Sequence, residues 1–371
     1  MPSFKGASTH ILGGLRFVLN KHEVILHTLG ESELPPRSGF LHRPWHIKEE
    51  NFLHRALAFR QRVDKALKDN RPDLLHFRGI WEGIPCVNSG LPTVYEVNAL
   101  PSIELHENYP HLSSRFLELI WRDEHECLTK ASSIIVPSAL IANCLQQEHQ
   151  IGSNRIQVMP NGHDLHLSSK RIANTSNSKL RMVYLGTLHP WQGLLWSIPH
   201  LKVFEEQMEL DIFGADQKTW SDYFHKRVRK HGLQNMIKHH GPLMRPHFHS
   251  VLASYDLGFA PFLQTVRNVR QGAHPVKLLD YLSHGLPVLA ADLPLARQLV
   301  DDGINGLFFK PQGHKELELT LQRLIDDRNY LESLALGASR KAQDLPNWED
   351  YSKRLVQIYE RLANNEFIAL R

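Results

Sequence analysis

The sequence predicts an α/β protein made of two doubly wound domains with a ligand cleft between them. Apolar β-rich runs alternate with amphipathic helical stretches along the chain, which is the pattern of parallel sheets with crossover helices. A stretch rich in Ser, Asn and Lys, residues 160–179, lacks apolar periodicity and divides that pattern in two. Two such domains would place the cleft between the carboxyl ends of their strands.

The predicted strands are short apolar runs that recur in both halves. In the first half they are HEVILHTL, DLLHFRG, TVYEV and SSIIVPS. In the second half they are LRMVYLGT, ELDIFG, IKHHG, DLGFAPF, LPVLAAD and GLFFKP. A helix is predicted over RFLELIWRDEHECLTKA, and another near the end of the chain, where Trp348, Tyr351, Leu355 and Tyr359 recur near helical spacing. The pattern leaves open which domain this last helix packs on.

Composition excludes several classes of protein. A chain of 371 residues is too long for one ordinary hydrophobic core and suits two domains. A composition of 42% hydrophobic and 22% charged residues is typical of a soluble globular protein. The sequence offers neither a membrane-spanning apolar run nor an apolar core of a signal peptide, so we expect a cytoplasmic protein. A net charge of +4 predicts no nucleic-acid partner. The 24 histidines and three cysteines lack metal-ligand spacing, so we expect surface imidazoles, free thiols and no metal site.

The stretch HPVKLLDYLSHGLPVLA carries the clearest chemistry. Lys277 and Asp280 are three residues apart, so on a helix that begins near Pro275 they share one face of its first turn. That turn also offers free backbone amides and the positive end of the helix dipole. A base, an acid and free amides can hold a phosphorylated ligand that bears hydroxyl groups. The alternative is an ordinary surface helix with a salt pair, and this stretch alone leaves the choice open.

Longer strings resemble a known family over nearly the whole chain. IQVMPNGHDL, MVYLGTLHPWQG, HPVKLLDYLSHGLPVLAAD and LVDDGINGLFF are similar to the series in retaining glycosyltransferases of family four, which have the GT-B fold. KGASTHI, FRGIWEGIP, YEVNALPSIEL and ASSIIVPSALIANCL resemble a bacterial branch linked to surface-polysaccharide synthesis. The resemblance implies two Rossmann-like domains. They are an acceptor-binding domain over 1–165 and a nucleotide-sugar-binding domain over 180–345, with the segment 346–371 crossing back onto the first.

The resemblance also assigns roles in the second half. Lys277 would contact the donor phosphates and Asp280 the ribose hydroxyls, although the family usually has Glu at that position. A second family acid is replaced by Gly272, eight positions upstream of Asp280. The backbone amides of Gly272, Ala273 and His274 would approach the sugar and phosphate instead.

Further departures concern charge at the diphosphate. The family usually has Arg directly after Gly186 and Lys directly before the next Gly. This chain has Thr187 and Gln192 at those positions, and they offer only neutral hydrogen bonds. Arg267 and Arg270 either replace the missing charge or face solvent. The nucleotide base would be read by backbone groups from Gly241 to Leu243.

In the first half, Gly6, Ala7 and Ser8 resemble the loop whose amides reach the donor diphosphate at a helix start. A strand usually precedes that loop, but the sequence begins only a few residues before it. We therefore expect either that the true start lies further upstream or that the first sheet lacks an edge strand. Asn98 occupies the position where many family members have a His near the reacting sugar. Glu96 shares its strand face, but Asn98 is nearer the carboxyl end, so we favour it together with Lys277 as candidate catalytic residues.

The predicted reaction moves a sugar from a nucleotide-sugar to a saccharide, a lipid-linked saccharide or a small molecule, without a cofactor. The departing phosphate would take the acceptor proton. Two alternatives are a degenerate GT-B protein that binds a sugar nucleotide or a partner enzyme without catalysis, and a sugar-nucleotide epimerase. The basic stretch that contains Arg55, Arg60 and Arg62 predicts either peripheral membrane contact or a solvated helix face. The sequence does not specify the sugar, the base, the acceptor or the oligomeric state.

Overall fold

The computed structural model describes residues 6–30, 39–48, 51–165, 179–214, 218–243 and 245–364, and strands alternate with helices through both halves. The first-half strands are β1 (Ile25–Leu29), β2 (Leu41–Trp45), β3 (Leu75–Phe77), β4 (Thr93–Glu96), β5 (Ser133–Val136) and β6 (Ile156–Val158). The first-half helices are α1 (Gly6–Val18), α2 (Phe52–Asp69), α3 (Ile80–Val87), α4 (Pro101–Asn108), α5 (Ser114–Lys130) and α6 (Ala139–His149), with a 3₁₀ turn at Ser153–Arg155.

The second half follows the same alternation. Its strands are β7 (Leu180–Leu185), β8 (Met208–Phe213), β9 (Ile237–His239), β10 (Leu257–Ala260), β11 (Val288–Ala291) and β12 (Gly306–Phe309). Its helices are α7 (Leu194–Ser197), α8 (Lys218–Lys230), α9 (Arg245–Leu252), α10 (Val276–Ser283), α11 (Pro294–Arg297), α12 (His314–Asp326), α13 (Arg328–Asp344) and α14 (Trp348–Ala363). Two 3₁₀ segments, Pro190–Gln192 and Ile198–Phe204, and a π-helical turn, Arg267–Gln271, complete it.

The sheets are parallel, as the alternating pattern predicts. The second-half sheet has the order β12-β11-β10-β7-β8-β9. The chain thus builds outward from β7 to one edge and then outward from β10 to the other, which is the Rossmann order with a switch point between β7 and β10. In the first half β3, β4, β5 and β6 pair in sequence order, and β1 pairs with β2 in a separate two-stranded sheet.

Each half buries its own apolar core. The central strands β4, β5, β10 and β11 are buried along their whole length, because helices cover both faces of a parallel sheet. One core cluster lies within the second half and another within the first. A third cluster joins α14 to the first half.

The last helix leaves the second half and packs on α1. Trp348 is 1% exposed and lies directly over Gly13, where an added Cβ would be 2.3 Å from the indole Cδ2 atom. Ser352 Oγ donates to the carbonyl oxygen of Gly14 at 2.7 Å, which fixes the two helices against each other. The prediction that the final helix crosses back onto the first half is confirmed for Trp348–Ala363.

Two predictions fall largely on residues outside the described ranges. The expected linker, 160–179, is described only up to residue 165 and from residue 179. The expected missing first strand concerns residues 1–5, which are not described. The boundaries 1–165, 180–345 and 346–371 therefore stay a prediction. Within the described ranges, no helix combines the length and the apolar character needed to cross a bilayer.

Candidate functional site

The candidate site lies at the carboxyl edge of the second-half sheet, around the switch point. The backbone after β7, β8 and β9 runs side by side there. The Gly186 amide donates to the carbonyl of Phe213 at 2.9 Å, and the Gly214 amide donates to the carbonyl of Gly241 at 2.8 Å. Gly214 must lack a side chain, since an added Cβ would lie 1.9 Å from the oxygen of Gly186. This close-packed backbone is the kind of surface that binds nucleotides in doubly wound sheets.

The loop after β7 is fastened to the loop after β10. Asn268 is fully buried, and its Nδ2 donates to the carbonyl oxygens of Trp191 at 2.9 Å and Leu263 at 2.8 Å. Gly193 has a φ of +80°, and an added Cβ there would lie 1.5 Å from the oxygen of Pro261. Because each loop holds the other, the fold itself fixes this edge of the site.

Lys277 projects from the first turn of α10 into this edge. Its Nζ donates to Gln192 Oε1 at 2.6 Å and lies 4.0 Å from the centre of the Tyr184 ring and 5.2 Å from that of Phe262. The residue is 9% exposed, and burial lowers the pKa of Lys277 well below its ordinary value. A neutral amide oxygen and two aromatic faces thus surround the Lys277 amine, and an entering anion would raise its pKa again.

Helix α10 begins after Pro275, as predicted, so its first amides have no intrahelical acceptor and its dipole favours an anion. Asp280 lies one turn beyond Lys277 and is 7% exposed. Tyr281 ties the helix to the sheet: its hydroxyl accepts from the Leu185 amide at 2.8 Å and donates to the Phe259 carbonyl at 3.2 Å. These bonds join α10 to β7 and β10 and hold Lys277 and Asp280 at the switch point.

Arg267 and Arg270 are each paired with a carboxylate of the first half. Arg267 Nε donates to Glu104 Oε1 at 2.6 Å, and Arg270 Nε donates to Glu148 Oε1 at 2.6 Å. Arg267 also stacks on the Trp191 ring at 3.8 Å and is largely buried, so it does not face solvent. Arg270 is exposed to solvent and at the same time paired with Glu148. The donor-binding role predicted for both arginines would require them to leave these partners.

Gly272, at the position of the absent family acid, is closed to side chains in this arrangement. Its φ is +74°, and an added Cβ would lie 2.6 Å from the Cβ of Leu140. The preceding Gln271 is fully buried, where it accepts from the Leu100 amide at 3.0 Å and donates to Glu104 at 3.2 Å. Glu at position 272 would therefore not simply restore the family acid in this backbone, because the tight packing against α6 leaves no room for it.

The main chain that leads into α10 is anchored at two successive carbonyls. Ala273 O accepts from Gln298 Nε2 at 2.8 Å, and His274 O accepts from Asn161 Nδ2 at 2.9 Å. Burial, together with the nearby His10, lowers the pKa of His274 to about 4, so this imidazole is neutral at neutral pH. The predicted contact surface at 272–274 is thus uncharged backbone in a fixed conformation.

The first half contributes the carboxyl end of β4. Glu96 is 3% exposed and is contacted by Arg78 Nε at 2.8 Å, His10 Nε2 at 3.1 Å, His76 Nε2 at 3.3 Å and Asn98 Nδ2. Burial acts to raise the pKa of Glu96, but attraction to Arg78, His10 and His76 outweighs it and holds the pKa well below its ordinary value. Glu96 is an ionised group enclosed by protein partners, whereas Asn98 is only half-buried and stays the better candidate for ligand contact.

The remaining predicted residues lie at the ends of elements. Gly6, Ala7 and Ser8 are the first residues of α1. Gly241 follows β9 with a φ of +73°, and Leu243 lies two residues beyond it. The Thr187 carbonyl accepts from the Tyr184 hydroxyl at 2.6 Å. The structure therefore brings the predicted residues after β7 together with Lys277, while the contact of Gly6–Ser8 with a donor stays a prediction.

Sequence reasoning missed three buried polar residues that hold the site together: His10, Asn268 and Gln271. Asn268 and Gln271 lie in VRNVRQ, which reads as a basic surface turn, and His10 lies between polar and apolar residues in ASTHILGG, so nothing in the local pattern marks the three as buried partners. Cys86, Cys127 and Cys144 are all buried thiols. Over the part of the chain that the structure describes, no group of three or more His, Cys, Asp or Glu side chains is arranged to hold a metal ion.

The Rossmann strand order and a second parallel α/β unit packed against it define a two-domain protein of the Rossmann type, with a buried lysine at a helix start. Residues 4–167 match the model of Glycosyltransferase Family 4, and residues 179–327 match that of Glycosyl transferases group 1. The two matches follow one another and together cover most of the chain, so the chain is a glycosyltransferase of the group 1 type.

Solved structures share the fold. Sucrose-phosphate synthase from Thermosynechococcus elongatus has a TM-score of 0.79 at 16% identity, covering 96% of this chain and 94% of its own. HepE of Anabaena, in complex with UDP-glucose, has a TM-score of 0.75 at 17% identity, covering 96% and 97%. The predicted GT-B architecture is confirmed. An uncharacterized glycosyltransferase of Methanocaldococcus jannaschii is 21% identical over 246 residues, which span 63% of this chain and 60% of that relative.

Proposed function

We propose that the protein transfers a sugar from a nucleoside-diphosphate sugar to a hydroxyl group of an acceptor, with retention of the anomeric configuration. The observation that carries the proposal is the enclosed amine of Lys277 at the switch point. It is held by the neutral oxygen of Gln192 at 2.6 Å and stands at the start of α10. A helix start and a buried amine together favour a diphosphate.

The donor would lie along the carboxyl edge of β7 to β10. Its diphosphate meets Lys277 and the first amides of α10, and Asp280 accepts hydrogen bonds from the ribose hydroxyls. Thr187 and Gln192 supply neutral hydrogen bonds beside the phosphates. The base lies against the backbone near Gly241, whose carbonyl accepts from the Gly214 amide just after β8.

The proposed reaction exchanges one bond at the anomeric carbon. The bond from that carbon to the diphosphate oxygen breaks, and a bond to the acceptor oxygen forms on the same face of the sugar. The acceptor proton passes to the departing diphosphate oxygen, so no separate protein base is needed. Lys277 and the helix amides stabilise the charge on the leaving group, and Asn98 orients the sugar or the acceptor.

Uridine is the first base to test. HepE, which shares the fold over 97% of its length, is solved with UDP-glucose. The nucleotide surface of the present chain is mainly backbone near Gly241, which reads the shape of a base more than its charge. UDP-sugars are therefore the proposed donors, with GDP- and ADP-sugars as the comparison.

The acceptor is proposed to be a saccharide, a lipid-linked saccharide or a small molecule with a hydroxyl group. A lipid-linked acceptor would suit α2, because this helix exposes the apolar side chains of Phe52 and Leu57 and the basic side chain of Arg62. Arg60 is paired with Asp123 at 3.1 Å and is therefore less available to lipid phosphates than Arg62. Sedimentation with anionic vesicles tests this peripheral contact, and binding that survives replacement of Arg55 and Arg62 by Gln would exclude α2 as the surface.

Donor hydrolysis without acceptor tests the reaction itself. Wild-type protein and a Lys277→Met variant are incubated with UDP-glucose, GDP-mannose and ADP-glucose, and released sugar and nucleotide are separated by chromatography. Slow release of free sugar with UDP, lost in the variant, supports the transferase. NMR of a product made with an added alcohol acceptor then reports the anomeric configuration, and inversion would reject the proposed retention.

Other outcomes identify the alternatives. A changed sugar still attached to the nucleotide indicates an epimerase. Nucleotide-sugar binding by calorimetry, without hydrolysis or transfer, indicates a binding protein that has lost catalysis. Absence of binding to every nucleotide-sugar would reject the donor site at Lys277.

A further inference from the structure

We propose that His10 and Asn161 form a positioning pair that connects the buried carboxylate of Glu96 to the main-chain carbonyl of His274. This pair would hold the backbone leading into α10 in the conformation that presents Lys277 to the donor. The expected effect on donor binding rests on the proposed function, whereas the contacts between these residues do not depend on it. It concerns contacts between distant parts of the chain that no local sequence pattern indicates.

The first link is the amide of Asn161. Its Nδ2 donates to the carbonyl oxygen of His274 at 2.9 Å, and its Oδ1 lies 2.7 Å from His10 Nδ1. An amide that donates through nitrogen must accept through oxygen, so His10 Nδ1 carries a proton and donates it. All three residues are buried, with exposures of 4% to 8%. The orientation of each group is thereby fixed by the next one.

The second link is the other nitrogen of the same imidazole. His10 Nε2 lies 3.1 Å from Glu96 Oε1 and 3.0 Å from the hydroxyl of Tyr351. The rings of Trp348 and Tyr351 meet the imidazole edge-on, with centroids 5.3 Å and 5.0 Å away. The ring of His10 therefore cannot turn without leaving Glu96, Asn161 and both aromatic neighbours.

The third link explains why a carbonyl of His274 matters. A peptide unit is planar, so fixing its carbonyl oxygen fixes the whole unit. Gln298 holds the carbonyl of Ala273 at 2.8 Å, and Asn161 holds the next one, so two successive peptide planes before Pro275 are set by side chains. Gly272 just before them has a φ of +74° and restrains nothing by a side chain of its own. Without the two amides, the entry to α10 would lose its orientation.

The pair joins parts that meet only in the assembled protein. His10 belongs to α1, Glu96 to β4 and Tyr351 to α14, while His274 belongs to the loop of the nucleotide-binding half. Packing of α14 on the first half is thus coupled through His10 to the loop that precedes Lys277. His10 and Asn161 are positioning residues in this scheme, since neither is placed against the donor.

The chain permits a matched pair of substitutions. The amide nitrogen of an Asn side chain reaches about as far as imidazole Nδ1, and that of Gln about as far as Nε2. The His10→Asn variant therefore keeps a hydrogen-bond donor for Asn161 but loses the contact with Glu96. The His10→Gln variant keeps the contact with Glu96 but loses the hydrogen bond to Asn161. His76→Gln is the control, because His76 also contacts Glu96 at 3.3 Å but has its other nitrogen on Tyr359 at 2.6 Å.

Hydrogen–deuterium exchange of the ligand-free protein provides the first readout. We expect Asn161→Ala and His10→Gln to speed exchange of the amides between Ala273 and Asp280 at least tenfold, while His10→Asn and His76→Gln leave it close to wild type. Circular dichroism and the melting temperature establish that each variant is folded. Equal exchange at these amides in wild type and Asn161→Ala would overturn the proposal. So would equal acceleration in all variants, which would indicate only a shared structural cluster.

The dissociation constant for UDP provides the second readout. Loss of one hydrogen bond in the chain is expected to raise it about tenfold in Asn161→Ala and His10→Gln, with partial rescue in His10→Asn. If wild type binds no UDP but the exchange pattern is as expected, the positioning pair stands and the proposed donor fails. If UDP binds and the variants bind it like wild type, the proposed function stands and the coupling to the donor site fails.

Discussion

Binding of a diphosphate at Lys277 is expected to be coupled to proton uptake from solvent. The amine lies among Gln192, Tyr184 and Phe262, and burial lowers its pKa well below the ordinary value. An anion at hydrogen-bond distance favours the charged form and raises the pKa again. Between the pKa of Lys277 in the free protein and its pKa in the complex, the affinity for the diphosphate should fall about tenfold for each unit by which the pH rises. This equals about 1.4 kcal/mol of binding free energy per unit.

Burial of Lys277 also makes the stability of the protein depend on pH. Below the pKa of an unfolded lysine, about 10.4, the unfolded chain binds a proton that folded Lys277 excludes. The free energy of unfolding therefore decreases as pH falls, by about 1.4 kcal/mol per unit, until the pKa of the folded state is reached. Lys277→Met removes this cost, so the variant should be more stable than wild type at pH 8 while binding nucleotide less well.

Calorimetry with UDP-glucose measures the proton directly, because its diphosphate is doubly esterified and does not titrate near neutral pH. Titrations at pH 8 in buffers of different ionisation enthalpy give the number of protons from the slope of the observed enthalpy. Wild type should take up protons as it binds, because the anion raises the lowered pKa of Lys277. Lys277→Met should take up none and should lose about 1.5–3 kcal/mol of binding free energy, the range for a hydrogen bond to a charged group.

A control variant separates this effect from general charge. Lys226→Met removes an exposed lysine of α8 and should leave both the slope and the affinity unchanged. If the observed binding enthalpy has the same slope against buffer ionisation enthalpy in wild type and in Lys277→Met, and both bind the donor, a role for the Lys277 amine is refuted. A wild type that binds UDP-glucose without any proton uptake from pH 7 to pH 9 would show that burial does not keep the amine neutral.

Three further outcomes follow from packing and titration. Gly13→Ala should cost about 1–3 kcal/mol of stability by thermal denaturation, because its Cβ would lie 2.3 Å from the Trp348 ring. Gly14→Ala, with 3.2 Å to its nearest side-chain atom, is the matched control on the same helix and should change stability far less. Gly272→Glu should lower the melting temperature without improving donor turnover, and a stable, faster variant would contradict the packing against α6. Because the pKa of His274 is lowered to about 4, unfolded chains bind a proton that this imidazole excludes between about pH 4 and 6.5, so stability decreases as pH falls through that window, by up to about 3 kcal/mol. Urea unfolding of wild type and His274→Phe at pH 6.5 and 4.5 measures the difference, and equal acid sensitivity would reject it.

Periodicity and motifs predicted the elements that carry strong local signals. The predicted strands in both halves are present, and α10 begins after Pro275 with Lys277 and Asp280 in its first turns, as the spacing indicated. β2 and β6 were missed. The first reads LHRPW, with a proline inside it, and the second is a short IQV segment that lies directly before the predicted linker.

Roles of single charged residues were less predictable. VRNVRQ reads as a basic surface turn, yet Asn268 and Gln271 are fully buried and Arg267 is paired with Glu104. Their partners come from loops and helices more than a hundred residues away or from the neighbouring strand loop. Local composition contains no information on such partners, because burial of a polar side chain depends on what the fold places opposite it.

The sequence by itself therefore determined the two-part α/β architecture, the parallel sheets and the helix start that carries Lys277. These features depend on residue periods and on turn and cap residues, which act within a few positions along the chain. Only the tertiary structure decided that Gly272 excludes a side chain, that Gln192 holds the Lys277 amine and that His10, Asn161 and His274 form one connected group. Each of these depends on contacts between segments far apart in sequence, whose distances are set by packing of the two halves and of α14.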